Sequence, residues 1–232
     1  MGQYYCGAIL NKDVNETKEV SIKQAFCCSA HNCGAKLMEH SYVGVWYIKE
    51  YEHALATDFY NHPFVWSGDY TDKYLGTDIY STAHSFIEKM TAKNAEEQGY
   101  EKNPNSSWGY EYIRNGITAS ERDFIPKTKS EKLPTYKYII NFTKKMFVRI
   151  PEKPDNGWTI HPLPLLCADG NGRGGGDYEG TNMKLVGSWA FDNIGVADEI
   201  PDEIETELIV EFKECYEGGD SSVNDFSFIS HK

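Results

Sequence analysis

The stretch Y-K-Y-I-I-N-F-T-K-K-M-F-V-R-I, residues 136–150, decides the reading of the fold. Two arms rich in β-branched and aromatic residues, 136–142 and 146–150, flank Thr143-Lys144-Lys145. That pattern predicts an antiparallel hairpin. Working outward, the same alternation recurs. Tyr4, Cys6, Ala8 and Leu10 share one face of a predicted strand at 3–10. Val20, Ile22, Gln24 and Phe26 share one face of a second at 19–26. The turn-rich connection at 11–16 makes these two a hairpin. Phe64-Val65-Trp66, 194–196 and 207–212 read as further strands.

Helical spacing appears twice. Val45, Ile48, Tyr51, Glu52 and Leu55 lie on one helical face, with Ser41 as its expected cap. Ile79, Ala83, Phe86, Ile87 and Met90 lie on another. The segment 36–41 reads equally well as strand or helix. Strands without regular helical crossovers predict an α+β fold. The expectation is a single domain over 1–232, mainly antiparallel sheet with two or three helices. An irregular insertion is expected at about 92–133, its middle packed down through Trp108, Tyr110, Tyr112 and Ile113.

The chain has 232 residues, enough for a full hydrophobic core without disulfides. Its formal net charge of −12 offers no basic field for a phosphate backbone, so general nucleic-acid binding is not expected. No apolar run approaches the ~18 residues of a membrane span. The start, Met1-Gly2-Gln3-Tyr4-Tyr5-Cys6, has no export-signal pattern, which predicts a cytoplasmic protein. Six cysteines, Cys6, Cys27, Cys28, Cys33, Cys167 and Cys215, are then expected as free thiols. The cluster at 27–33 lacks a second ligand pair at zinc spacing, so neither metal nor cofactor is expected.

The most unusual stretch is W-T-I-H-P-L-P-L-L-C-A-D-G-N-G-R-G-G-G-D-Y-E-G-T-N-M-K-L-V-G-S-W-A-F-D, residues 158–192. An apolar run at 160–168, read as a strand with His161 at its start, enters a glycine-rich loop. A segment of helical potential at 183–191 leaves it. Glycine permits positive φ, so successive backbone N–H groups of such a loop can converge on an anion. Arg173 would add a planar cation. The loop is neither a P-loop nor, without a surrounding βαβ unit, a dinucleotide fingerprint.

Other pieces carry a likeness. M-G-Q-Y-Y at 1–5, K-L-M-E-H-S at 36–41, V-W-S-G-D-Y at 65–70, N-F-T-K-K at 141–145, H-P-L-P-L-L at 161–166, G-N-G-R-G-G-G-D-Y at 170–178 and G-S-W-A at 187–190 span nearly the whole chain. With them the chain resembles a family of gut bacteria and their phages whose members begin Met-Gly-Gln-Tyr-Tyr. The segment 27–33 departs from that family's pattern. The resemblance implies a source and a bacterial cytoplasm, and nothing about mechanism.

Three function classes follow. The leading expectation is a binder of a phosphorylated small molecule or nucleotide. Asn171, Arg173, Gly174, Gly175 and Asp177 would hold the anion, and Trp66, Trp189 or Tyr178 would cover an apolar part. The second is a hydrolase using His40 or His161 with Asp69, Asp169 or Asp177. Glu39-His40-Ser41 cannot itself form a triad, because neighbouring side chains of a strand point to opposite faces. The third is a protein-interaction module without a small ligand, marked by a flat aromatic patch.

Overall fold

The computed structural model describes residues 2–28, 34–106, 111–125 and 133–213. The strand expected at 3–10 is β1 (Tyr5–Leu10), and every one of its residues is buried. A strand buried on both faces must be covered from both sides, and the layers supply that cover. Cys6, Ala8 and Leu10 pack with Val65 against Ile79, Ala83 and Ile87 of a long helix, α4 (Ile79–Glu97). Tyr5 and Ile9 point the other way, into the larger core. That core joins Phe64 and Trp66 to Tyr47, Ile48, Tyr51 and Leu55 of α3 (Trp46–Ala56). Leu163, Leu165 and Leu166 of α5 (Pro162–Leu166) complete it.

Besides β1, the main sheet contains β2 (Ile22–Gln24), β3 (His62–Gly68), β7 (Tyr138–Asn141), β8 (Met146–Arg149), β9 (Ala168–Asp169), β10 (Asn193–Ala197) and β11 (Thr206–Glu207). Its order is β11-β8-β7-β10-β3-β1-β2, with β9 also on β3. All pairings in it are antiparallel except β3 with β9 and β8 with β11. The fold is therefore α+β, as the strand pattern predicted, and the hairpin at 136–150 is β7–β8. No helix among the described residues is long and apolar enough to cross a membrane.

Gly7 sits where the aromatic layer closes over β1. A Cβ there would lie 2.6 Å from the Tyr51 ring and 2.7 Å from the Trp66 ring. The Tyr51 hydroxyl donates to the Gly7 carbonyl at 2.6 Å, so ring and strand fit only because the side chain is hydrogen.

Several local expectations are corrected. The turn at 11–16 holds a one-turn helix, α1 (Val14–Thr17), and 36–41 resolves as α2 (Leu37–His40). Ser41 does not cap α3. Val45 is the N-cap residue, and the Ser41 carbonyl instead accepts from His161 N at 2.7 Å. The apolar run at 160–168 is mostly helix α5, not strand. Pro162 and Pro164 lie in its first turn, where a missing donor costs nothing, and the His161 side chain caps Leu163 N. Periodicity does not separate a short buried helix from a short buried strand.

The helix expected at 183–191 reduces to a 3-10 turn at Met183–Leu185. Gly187 adopts φ +76°, and its N–H bonds to Leu165 O while Trp189 N bonds to Leu166 O. These two donors are spent on the end of α5, while Ser188 N and Ala190 N close only single turns, to Leu185 O and Gly187 O. The last strand pairs only through Thr206 and Glu207, and does so in parallel. The stretch at 92–133 is more regular than expected. It starts inside α4 and continues as a three-stranded sheet, β4 (Glu101–Lys102), β5 (Glu111–Arg114) and β6 (Ile117–Ser120). Tyr112 and Phe124 pack on Ala95 of α4 beneath it. Trp108 and Tyr110 lie outside the described residues.

Candidate functional site

The glycine-rich loop lies where the C-terminal ends of β3 and β9 meet the N-terminal end of β1. Ser67 pairs with both Cys6 and Asp169 there. Three loop N–H groups do converge on an anion, but the anion belongs to the chain. Asp177 Oδ2 accepts from Gly172 N at 2.6 Å, Arg173 N at 2.8 Å and Gly174 N at 3.0 Å. Asp177 Oδ1 accepts from the Tyr5 hydroxyl at 2.7 Å. Asp177 is buried, and these four donors compensate its desolvation. Burial, then the bond to Asp177, then the charges of Asp177, Asp169 and Asp69 push the Tyr5 hydroxyl far above its usual pKa, so it stays a donor.

The rest of the loop is laced down. Asn171 binds Tyr178 both ways, accepting from its N–H at 2.7 Å and donating to its carbonyl at 3.1 Å. Gly175 O accepts from Gln3 N at 2.7 Å, and Gly176 O from Met38 N at 3.2 Å. A Cβ on Gly174 would lie 2.7 Å from Gln3 Cβ and 2.9 Å from the Tyr70 ring.

Arg173 is on the rim. Its guanidinium donates to Tyr70 O at 3.0 Å and to Asp72 Oδ2 at 2.8 Å. Its side chain is 42% exposed and that of Asp72 is 89% exposed. The bond to Asp72 raises the Arg173 pKa, and Arg173 in turn holds Asp72 below the usual carboxylate range. Such an exposed pair contributes little to stability. Arg173→Ala is therefore expected to move the melting temperature by less than about 2 °C, as scanning calorimetry would read it. A drop several times larger would show that the guanidinium holds the loop.

The expected covering rings are elsewhere. Trp66, Trp189 and Tyr178 are each at most 1% exposed and belong to the core. The Tyr178 hydroxyl donates to Thr181 O and Lys213 O, while Trp66 Nε1 has no hydrogen-bond partner. In this arrangement the three rings pack the interior and do not line the loop's outer face.

The weak catalytic candidates do not assemble either. His161 is fully buried; its Nε2 faces Glu52 Oε1 at 2.6 Å and its Nδ1 accepts from Leu163 N at 3.1 Å. A ring that accepts at Nδ1 carries its proton at Nε2, so it donates to the Glu52 carboxylate and keeps no nitrogen to act as a base. His40 Nδ1 accepts from Lys36 N at 3.2 Å, and Asp69 Oδ1 from Tyr4 N at 3.1 Å. No hydrogen bond joins any two of His40, Asp69 and His161. Cys6, Cys28 and Cys167 are buried free thiols, Cys27 is buried next to Cys28 in sequence, and burial pushes Cys28 and Cys167 up; Cys33 and Cys215 lie outside the described residues.

What the sequence reading missed is Gln3. Its side chain is fully buried, and neither Nε2 nor Oε1 has a hydrogen-bond partner. Three glycines make room for it. A Cβ on Gly68 would collide with the Gln3 amide nitrogen, one on Gly170 would come within 2.8 Å of it, and one on Gly174 would strike its Cβ. Thr71 lies against Gly170, and its hydroxyl donates to Gly68 O at 3.0 Å and lies 3.4 Å from Ser67 Oγ. Asp169, half-buried beside Gly170, makes no hydrogen bond through its carboxyl. Burial raises its pKa, opposed by the charge of Arg173 and reinforced by that of Asp72.

Comparison with known protein families, curated proteins and solved structures finds no match to this chain.

Proposed function

We propose that the protein binds a polar small molecule bearing an anionic group, on the rim where the loop at 170–177 meets the end of β3. The observation that carries this reading is the Gln3 carboxamide. A buried amide with neither its donors nor its acceptor paired costs roughly 1–3 kcal/mol, and such a group calls for an explanation in a bound partner. The anion is met by Arg173. Two of its five guanidinium N–H groups are engaged, leaving three to reach a ligand. The loop amides play no part, since Asp177 already fills them. Binding is favoured over hydrolysis because both nitrogens of His161 are engaged and no nucleophile–base pair is formed with His40 or Asp69.

The test is a thermal-shift panel of inorganic anions, nucleotides, phosphorylated metabolites, amino acids and neutral polyols. It would be run on the wild type and on Gln3→Met, which keeps the length of the side chain and removes its polar atoms. At least one class should raise the wild-type melting temperature by several degrees at ligand concentrations about a hundredfold above Kd. The shift should shrink in Gln3→Met. If the whole panel leaves the wild type unmoved, the protein is not a binder of this kind.

A second reading, an interaction module, draws on Trp46 and Trp158, which are 47% and 48% exposed. The Trp158 ring packs on Tyr42 with centroids 4.5 Å apart. Rim aromatics of this kind are frequent in protein contacts.

A further inference from the structure

We infer that the ligand of this rim is a zwitterion, with a primary ammonium group at Asp169 and Gln3 Oε1 and its anionic group at Arg173. The inference rests on the binding reading above and names the ligand chemistry. Four carboxylates surround the loop, and three are already engaged. Asp177 accepts four hydrogen bonds, Asp72 pairs with Arg173, and Asp69 accepts from Tyr4 N. Asp169 alone of the four is without a hydrogen bond. It sits beside the glycine whose missing side chain admits the Gln3 amide.

An ammonium group has three donors and no acceptor. Here it would meet a half-desolvated carboxylate and an unpaired amide oxygen. A lone anion at this place would face Asp69, Asp72 and Asp169 against one arginine. A lone cation would face Arg173. A molecule carrying both charges meets a partner for each, which is the arrangement used to distinguish a correct ligand from a half-correct one.

The desolvated Asp169 carboxyl carries a cost that a variant would reveal. A carboxyl whose folded pKa is raised binds its proton more tightly in the native state. The native state therefore loses stability as pH rises from the usual carboxylate value through the raised one. Asp169→Asn removes that loss, so at neutral pH the ligand-free variant should melt no lower than the wild type. It is thus a folded control as well as a binding variant.

The experiment is calorimetric titration of the full chain with three probe sets at constant ionic strength. These are ethanolamine for ammonium alone, acetate and inorganic phosphate for anion alone, and glycine, β-alanine and phosphoethanolamine for both. At least one zwitterion should bind at least tenfold tighter than either single-charge set. Asp169→Asn and Gln3→Met should each lose tenfold or more for it. Arg173→Ala should reduce it to the level of ethanolamine.

If phosphate or acetate binds as tightly as any zwitterion and Asp169→Asn is without effect, the ammonium subsite is wrong and the binding reading survives. If ethanolamine alone matches the zwitterions in the wild type and in Arg173→Ala, the anion subsite is wrong. If no probe binds while another class in the panel above does, the zwitterion is excluded. If nothing in either experiment binds, both readings fall together.

Discussion

Removing residues 1–8 should leave a chain that does not fold. β1 lies between β2 and β3, and residues 5–8 supply four of its five pairs with β3: Tyr5 with Gly68, Cys6 with Ser67, Gly7 with Trp66 and Ala8 with Val65. Their loss opens both cores at once, because Cys6 and Ala8 face α4 while Tyr5 faces α3 and α5. It also frees Phe64, Val65 and Trp66, all fully buried, to face water along one edge. Each large apolar side chain left exposed forfeits about 1.5–3 kcal/mol, and a whole domain is stable by only about 5–15 kcal/mol. The truncation also takes the Gln3 N–H from Gly175 O and the Tyr5 hydroxyl from Asp177, so the loop loses its floor. Soluble expression and a cooperative circular-dichroism melt of the truncated chain would contradict the central position of β1.

Asp177→Ala should be the most damaging single change in the loop. It orphans the N–H groups of Gly172, Arg173 and Gly174 and the hydroxyl of Tyr5. Gly172 and Arg173 are exposed and recover water in part, but Tyr5 is fully buried. At about 1–3 kcal/mol for each buried group left unpaired, the loss should come to about 3–5 kcal/mol. That is a fall in melting temperature of about 6–20 °C for a chain of this size. Asp177→Asn keeps one acceptor oxygen but points an amide at donors, so it should restore only part of the difference. Urea unfolding reads both, as a lower midpoint at unchanged slope. A midpoint in Asp177→Ala close to that of the wild type would mean that the carboxylate does not organise the loop. The contrast with Arg173→Ala is the informative one: the buried carboxylate holds the loop, and the exposed arginine does not.

The fold was legible wherever a side-chain period ran long enough. The hairpin of β7 and β8, the strand β1 and the helices α3 and α4 all stand where alternation or helical spacing put them. The misreadings share a cause. At 160–168 and 183–191 the choice between helix, strand and turn was made by partners distant in sequence. Ser41 takes the His161 N–H, and the end of α5 takes the N–H groups of Gly187 and Trp189. No local pattern encodes those partners.

The candidate site divides in the same way. The glycines at 170–176 correctly marked a loop whose N–H groups converge, since that depends on backbone freedom at Gly170, Gly172 and Gly176, with φ of +102°, +92° and +86°. That Asp177 would fill the cradle was not legible, because its orientation is set by Tyr5, 172 residues away. Nor was the burial of Trp66, Trp189 and Tyr178, since an aromatic ring reads alike whether it packs a core or covers a ligand. Gln3 shows the limit most plainly. By sequence it is a polar residue at the start of a strand. It becomes a buried amide without partners only because the tertiary fold closes Gly68, Gly170 and Gly174 around it. The sequence by itself determined the strands and helices whose side-chain period runs long, and where the backbone could turn, because those follow from neighbours a few residues apart. Which polar groups find one another, and which stay unpaired, only the tertiary structure decided, because hydrogen bonds between residues a hundred or more positions apart depend on where the whole chain has packed.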